Sequence, residues 1–178
     1  MGQPSPTIVM GLDPGSRITG FGVISILGNH CRCVDYGAIR CHDRRLKTPF
    51  EQRLKTIYHE LGSVLRRHAP AVVAVESVFH AVNARSALQL GHARGVVLLA
   101  AAELEIPLFE YSPREVKKSI SVTGRATKEE VQAMVRILLK LKERPRPNDA
   151  ADALAVALCH AFKGVSSQRL QQQARLAR

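Results

Sequence analysis

The chain is short of aromatic residues and has no long apolar segment. Its 178 residues include no tryptophan, three tyrosines and five phenylalanines. The longest strongly apolar run, residues 95–102, covers eight residues, whereas a membrane-spanning helix needs about 20. The first six residues contain no basic segment followed by an apolar one, so no signal peptide is predicted. We therefore expect a cytoplasmic protein.

Cysteine is also scarce, and its spacing does not favour a metal site. The four cysteines are Cys31, Cys33, Cys41 and Cys159. A cytoplasmic protein keeps such thiols reduced. Cys31 and Cys33, followed by Cys41 and His42, match no common zinc-finger spacing. Buried thiols are therefore the preferred interpretation, with zinc as a minor alternative.

Acidic residues are few compared with basic ones. The chain has 26 Lys and Arg against 15 Asp and Glu, which gives a net charge of +11 and a pI near 10.1. A domain this basic usually binds a polyanion, either nucleic acid or, less favoured here, an anionic membrane surface. At 46% hydrophobic residues the chain can bury a core, which excludes a disordered protein.

The apolar pattern predicts one mixed α/β domain. Residues 1–6 are expected to form a flexible leader, 7–163 the domain, and 164–178 a basic, disordered tail. Capping boxes predict short helices after Ser112 and Thr127, and Asn148 would cap a third. The remaining elements are strands at 7–13, 19–26, 31–39, 71–76 and 107–111, an amphipathic helix at 49–68 and a long helix at 83–105.

Four acids occupy positions at which a metal-dependent nuclease places its ligands. Asp13 and Glu76 each end an apolar strand, and open α/β sheets place their sites at such strand ends. Asp149 and Asp152 are spaced i, i+3, so they share one face of the predicted helix. Clusters of carboxylates bind Mg²⁺, often as two ions in phosphodiester chemistry.

Each acid alone has a simpler interpretation. Asp13 begins Asp-Pro-Gly, which is a common turn sequence. Asp149 could only stabilise the positive end of a helix macrodipole. Asp152 and Glu76 are harder to explain in this way, since each lies among apolar residues, where a carboxylate needs a cation or hydrogen bonds. The four acids together, in so basic a chain, favour metal binding.

Four motifs extend this argument to a family. They are Asp13-Pro-Gly-Ser-Arg-Ile-Thr-Gly-Phe-Gly, Val75-Glu-Ser-Val-Phe, the residues from Asn83 to Gly95, and Asn148-Asp-Ala-Ala-Asp-Ala-Leu-Ala. In order and spacing they resemble RuvC, the family of bacterial crossover junction endonucleases. The resemblance covers nearly everything from about residue 7 to 163.

The resemblance implies a ribonuclease H-like fold, with a mixed five-stranded sheet flanked by helices. It also implies a homodimer that resolves Holliday junctions by two symmetric nicks and leaves 5′-phosphate and 3′-hydroxyl ends. The implied cofactor is Mg²⁺, two ions per subunit, with Mn²⁺ able to substitute. Its partners would be a four-way junction and the RuvA–RuvB branch-migration complex. The family's acidic positions map onto Asp13, Glu76, Asp149 and Asp152.

The resemblance also implies DNA contacts by Lys117 and Lys128, and by Phe79 as an aromatic that faces the junction. A core position for Phe79 and a solvated one for Lys117 are the alternatives. Lys128 lies in a helix's first turn, where a bound phosphate would offset the unfavourable dipole. We add Asn83 and Arg85 as candidate DNA contacts.

The long helix at 83–105 is a candidate dimer interface. It is apolar nearly all round after Arg94, so its second face needs a partner. Gly91 and Gly95 would permit close approach, and Leu98 would join them. Dimerisation is preferred over a helix buried within one chain, because few other elements are left to cover it.

Two rival functions remain. An actin-like or sugar-kinase fold also begins with Asp-x-Gly after a strand, but it usually has two such lobes. A protein that binds junctions without cutting them is the second rival, although all four acids are present.

Overall fold

The structure, a computed structural model, describes residues 5–42, 47–77, 83–121 and 126–176, with side chains to residue 164. The strands are β1 (Thr7–Asp13), β2 (Ile18–Leu27), β3 (His30–Arg40), β4 (Val72–Glu76) and β5 (Leu108–Tyr111). The helices are α1 (Phe50–His68), α2 (Ala84–Ala102), α3 (Pro113–Ile120), α4 (Lys128–Leu138) and α5 (Asn148–Leu176). The predicted elements are present, and most ends differ by only one to three residues.

The five strands form one mixed sheet in the order β3-β2-β1-β4-β5. The first three strands pair antiparallel, whereas β4 runs parallel to both β1 and β5. The carboxyl ends of β1, β4 and β5 therefore lie at the same edge of the sheet. The predicted fold class, a mixed five-stranded sheet flanked by helices, is confirmed.

Alternate residues of each strand contribute to two separate cores. On one side, which we term the α1/α2 face, large side chains such as Met10, Leu12 and Val73 pack against Ile57 and Leu61. On the other side, the α5 face, the sheet packs against α5, with α3 and α4 outside it. The core there is rich in alanine, at positions 150, 151, 153, 155 and 157.

Two helix starts agree with the predicted capping boxes. The Ser112 side chain accepts from the Glu115 backbone, and the Glu115 side chain accepts in return from the Ser112 backbone. Thr127 and Glu130 make the same reciprocal pair at α4. The third helix is not short, because α5 spans 29 residues and its backbone continues through Leu176. Its Gln, Arg, Leu and Ala residues are good helix formers with no proline to end it.

The cysteines lie apart on the two faces of the sheet. Cys31 and Cys33 pack against the core of the α5 face, while buried Cys41 belongs to the α1/α2 face. All four are free thiols, but only Cys41 and Cys159 are buried as the preferred interpretation expected, whereas Cys31 and Cys33 are partly exposed. Among the described residues, no helix is long and apolar enough to cross a membrane.

Candidate active site

Two of the predicted acids end neighbouring parallel strands. Leu12 of β1 is in register with Val75 of β4, so Asp13 and Glu76, the next residues, leave the sheet side by side. A one-residue slip would turn either carboxylate to the opposite face. The parallel pairing of β1 and β4 therefore brings together two acids that are 63 positions apart in the sequence.

The other two acids reach this edge on α5. The first turn of this helix lies over β2, where the carbonyl oxygen of Asp149 sits directly above Gly20. Asp13 is the cross-strand partner of Gly20. Asp149 and Asp152, three residues apart on α5, therefore lie beside Asp13 at the edge of the sheet.

A buried threonine holds the turn that follows Asp13. The Thr19 hydroxyl donates to the Gly15 carbonyl at 3.0 Å, and the Gly15 backbone N–H donates back to that hydroxyl at 3.4 Å. Thr19 is fully buried. A side chain at Gly15 would place its Cβ 2.1 Å from the carbonyl oxygen of Ile18. This turn therefore needs glycine, and Thr19 fixes the direction in which the chain leaves β1 after Asp13.

The pKa of Asp13 reflects the presence of the other three acids. Burial, followed by the charges of Glu76, Asp152 and Asp149, raises the pKa of Asp13 from 3.8 to about 8. Like charges held this close oppose ionisation unless a cation offsets them. The structure thus gathers several carboxyl groups at one edge of the sheet in a strongly basic protein.

Glu76 and Asp152 have the same environment to a smaller degree. Burial and the charge of Asp152 raise the pKa of Glu76, while Lys128 and Lys117 oppose the rise. Burial also raises the pKa of Asp152, and it outweighs the ion pair that Asp152 makes with Lys128. That ion pair joins Lys128 Nζ to Asp152 Oδ2 at 2.6 Å.

Lys128 is a basic residue in direct contact with one of the acids. Burial alone would lower the pKa of its ammonium, but the hydrogen bond to Asp152 and the charges of Asp152, Asp13 and Asp149 raise it. The Lys128 side chain remains about half exposed, at 54%. It is therefore held as a cation at the rim of the acid cluster and stays open to solvent.

A cleft of about 190 Å³ opens beside the acids. Glu76, Asp152, Lys117 and Lys128 provide its charged groups. Apolar parts of α3, α4 and α5 complete the lining, namely Pro113, Val116, Val131 and Ala155. The cleft thus offers both carboxylates and ammonium groups to a single phosphodiester group.

The donor set fits a hard divalent cation in kind. Asp13, Glu76, Asp149 and Asp152 present only carboxylate oxygens, the ligands that Mg²⁺ and Mn²⁺ prefer. The raised pKa of Asp13 shows that positive charge is favoured there. Among the described residues, however, no group of three or more His, Cys, Asp or Glu side chains is arranged closely enough to hold a metal ion. The acids are gathered at one edge, but their oxygens do not converge on one point.

Comparisons with known proteins identify the family of this chain. The sequence model of the family described as crossover junction endodeoxyribonuclease RuvC matches residues 9–160. The chain is 47% identical over 164 residues to the RuvC of Pelotomaculum thermopropionicum, covering 92% of this chain and 98% of that one. Solved T. thermophilus RuvC in complex with a Holliday junction substrate is 38% identical, with a TM-score of 0.83, covering 90% of this chain and 96% of that one. The chain belongs to the RuvC family.

A more distant structure shows the fold alone. The yeast mitochondrial Holliday junction resolvase Ydc2 has a TM-score of 0.64 at 11% identity, covering 97% of this chain and 88% of that one. The fold is ribonuclease H-like. Membership of the RuvC family also decides against the actin-like and sugar-kinase alternative, which rested on one Asp-x-Gly turn.

Of the remaining predicted DNA contacts, two lie at the start of α2 and one lies outside the described residues. Phe79 falls in residues 78–82, which the structure does not describe. Asn83 caps α2, where its side chain accepts from the Ser86 backbone at 2.9 Å. Arg85 is exposed in the first turn of that helix. Both stay predictions.

Two of the three residues predicted for the dimer interface lie on the exposed face of α2, and the third does not. Gly91 and Gly95 are exposed, and a Cβ at either would meet nothing within 4 Å. Leu98 is half-buried and packs toward the core of the α1/α2 face. The large apolar residues that accompany the glycines outside are Leu88 and Leu99, which are 65% and 52% exposed.

Sequence reasoning did not find two residues that shape the site. Thr19 and Gly20 lie within the first family motif, but no local pattern marks either as different from other strand residues. Thr19 is recognised by its burial with a hydrogen bond to the turn. Gly20 is recognised by its contact with the backbone of Asp149. Both signals depend on partners distant in the chain or on tertiary burial.

Proposed function

We propose that this chain resolves Holliday junctions through a metal centre formed by Asp13, Glu76, Asp149 and Asp152. The RuvC family consists of hydrolases that cut crossover junctions in recombination and repair. Two symmetric nicks that leave 5′-phosphate and 3′-hydroxyl ends are standard for it. The family is metal-dependent. The proposal adds the residues of this chain and the metal, Mg²⁺ at two ions per subunit, with Mn²⁺ as a substitute.

One observation carries the proposal, namely the convergence of acids from three separate elements at one edge of the sheet. Burial and mutual repulsion raise the pKa of Asp13 to about 8. Such an arrangement lowers the stability of the metal-free protein, because each buried carboxylate loses hydration. A bound cation would offset this cost. When bound, two divalent ions would lower the pKa of the attacking water and stabilise the leaving oxygen.

The protein's own groups would bind and orient the DNA strand. Lys117 and Lys128 line the same cleft as Glu76 and Asp152, so a phosphodiester group held there meets both ammonium groups. Lys128 also begins α4, whose free backbone N–H groups favour an anion. No protein nucleophile is needed, since water is the attacking group.

The paired nicks require two such sites, which a homodimer would supply. An opened four-way junction has approximate two-fold symmetry, and a C₂ dimer presents two identical sites. Leu88 and Leu99 leave an apolar stripe of α2 exposed, and Gly91 and Gly95 leave room for close approach. We place the dimer contact on this stripe.

The remaining assignments rest on the family. Delivery of the junction by RuvA and RuvB, and action in the bacterial cytoplasm, are proposals of this kind. The bacterial relatives support this setting.

The decisive experiment separates cutting from binding. Asp13→Asn, Glu76→Gln and Asp152→Asn each keep the shape of the side chain and remove one anionic ligand. Single-turnover cleavage of a four-way junction in Mg²⁺ should fall by about 100-fold or more. Loss of an outer-shell partner already costs up to about 100-fold, and these variants remove direct ligands. Binding to the junction, measured by gel shift in EDTA, should be unchanged or tighter.

Glu129→Gln is the matched control, because Glu129 is an exposed acid that follows Lys128 in α4. It should cut at the wild-type rate. If the amide variants lose binding and cutting equally, these acids support the fold and the proposed metal centre is wrong. If they bind and cut like the wild type, the chemistry lies elsewhere.

A further inference from the structure

Helix α5 lies against β1 and β2 at positions that have no side chain. A Cβ built on Gly20 would lie 2.0 Å from the carbonyl oxygen of Asp149. One built on Gly11 would lie 2.0 Å from the carbonyl oxygen of Ala153, and one on Gly22 would lie 2.7 Å from the backbone nitrogen of Leu154. Ordinary contacts lie at about 3.5–4.0 Å. The backbone of the helix therefore rests directly on the sheet.

Gly20 differs from the other two glycines in what surrounds it. Its cross-strand partner on β1 is Asp13, and the backbone above it belongs to Asp149. Gly20 thus lies between an acid carried by the sheet and an acid carried by the helix. Gly11 of β1 and Gly22 of β2 form a cross-strand pair that lies under a later part of α5. They contact residues one turn or more beyond Asp149.

Any side chain at Gly20 would have to move the first turn of α5. The obstructing atom is a backbone oxygen, so it cannot turn aside as the end of a flexible side chain would. Asp149 and Asp152 would move with that turn, while Asp13 stays with β1. Metal sites tolerate errors of only about 0.2 Å in ligand distance.

We propose that Gly20 is a positioning residue that sets the distance between Asp13 and the Asp149–Asp152 pair in the metal centre. Gly11 and Gly22 hold the rest of α5 at the same height above the sheet. This inference rests on the proposed metal centre. Metal affinity depends on the spacing of the acids, and a residue without a side chain would set that spacing.

The test must separate positioning from packing, and Gly37 provides the matched control. A Cβ on Gly37 would lie 2.8 Å from the Phe21 ring, which belongs to the α1/α2 face. Gly37→Ala therefore crowds the same sheet without touching α5. Mn²⁺ dissociation constants would be measured by electron paramagnetic resonance without DNA, at a temperature where circular dichroism shows each variant folded.

Gly20→Ala should weaken Mn²⁺ binding at least tenfold, whereas Gly37→Ala should stay within twofold of the wild type even if both unfold at lower temperature. Gly22→Ala, the milder clash, should fold and show an intermediate loss. Equal affinity in Gly20→Ala and the wild type would overturn the proposal, as would an equal loss in Gly37→Ala. If Gly20→Ala does not fold, wild-type affinity in Gly22→Ala overturns it.

Asp13→Asn separates this failure from a failure of the metal centre. If wild type and Asp13→Asn bind Mn²⁺ equally, the carboxylates do not form the centre and both proposals fall. If Asp13→Asn loses binding but Gly20→Ala does not, the centre stands and only the role of Gly20 is wrong.

Discussion

The two faces of the sheet are packed in opposite ways. On the α1/α2 face, large side chains such as Met10, Leu12 and Leu61 separate the helices from the strands. On the α5 face, Gly11, Gly20 and Gly22 let a helix backbone rest on the sheet. All four candidate metal ligands lie at the edge that the second packing controls.

The difference shows how one sheet can serve two purposes. Large aliphatic side chains bury much apolar area, which stabilises the domain, but they can shift rotamers when a neighbour changes. Backbone-on-backbone contact has no such freedom, so it fixes position. We therefore expect changes on the α1/α2 face to affect stability and assembly, and changes on the α5 face to affect metal binding as well.

The largest effect on the α1/α2 side should come from a charge on its outer helix. Gly95→Glu places a carboxylate in the proposed dimer contact, while the open space around Gly95 leaves the single subunit undisturbed. Sedimentation should show monomers in place of dimers. Paired, ligatable nicks should be lost, while Mn²⁺ binding remains.

Ser63→Glu on α1 adds the same charge at another exposed helical position and should leave the dimer intact. A wild-type protein that sediments as a monomer with and without DNA would contradict the two-site mechanism.

Equal cavities on the two faces should have unequal consequences. Leu61→Ala and Leu154→Ala each remove a fully buried side chain and should each lower the free energy of unfolding by about 2–5 kcal/mol. Denaturant titration measures that loss. Mn²⁺ affinity should fall only in Leu154→Ala, because Leu154 belongs to the helix that carries Asp149 and Asp152. An equal loss of affinity in both variants would abolish the distinction between the faces.

Removing the charge of Asp13 should stabilise the metal-free protein. Folding raises the pKa of Asp13 from 3.8 to about 8, so between these values the folded state holds a proton that the unfolded state has lost. The stability that this proton contributes is complete below pH 3.8 and is lost as the pH rises through 8. Asp13→Asn should therefore exceed the wild-type Tm in EDTA by more at pH 8 than at pH 5.

A gain of about 1 kcal/mol would raise the Tm by about 2–4 °C at this chain length. Added Mg²⁺ should reverse the order, because it stabilises only the wild type. A Tm difference that does not change between pH 5 and pH 8 would remove Asp13 from the repulsive cluster.

The smallest effect should come from the lysines of the cleft. Lys117→Ala and Lys128→Ala should each reduce the salt slope of junction binding by about one unit, if each neutralises one phosphate. Fluorescence anisotropy across a salt series measures the slope. Lys118→Ala, an exposed neighbour that does not line the cleft, is the control. Unchanged slopes in both cleft variants would exclude them from the DNA contact.

The sequence alone determined most of the local structure and the identity of the candidate acids. Ser112 with Glu115 and Thr127 with Glu130 set two helix starts because capping pairs are only three residues apart. Apolar runs that end in Asp13 and Glu76 located the strand ends, because such a run and the acid that follows it are also adjacent in sequence. The family motifs also identified the enzyme class, since they cover residues distributed over most of the chain.

Tertiary structure decided what depends on partners far apart in the chain. The parallel pairing of β1 with β4 set Asp13 beside Glu76, and the contact of Gly20 with Asp149 brought α5 to them. Rotation of α2 turned Leu98 toward the core and left Leu99 outside. Residue types and spacing fix neither register nor helix rotation, because both follow from contacts between elements. The sequence thus identified the candidate ligands, and the packing of α5 on glycine positions them at one edge of the sheet.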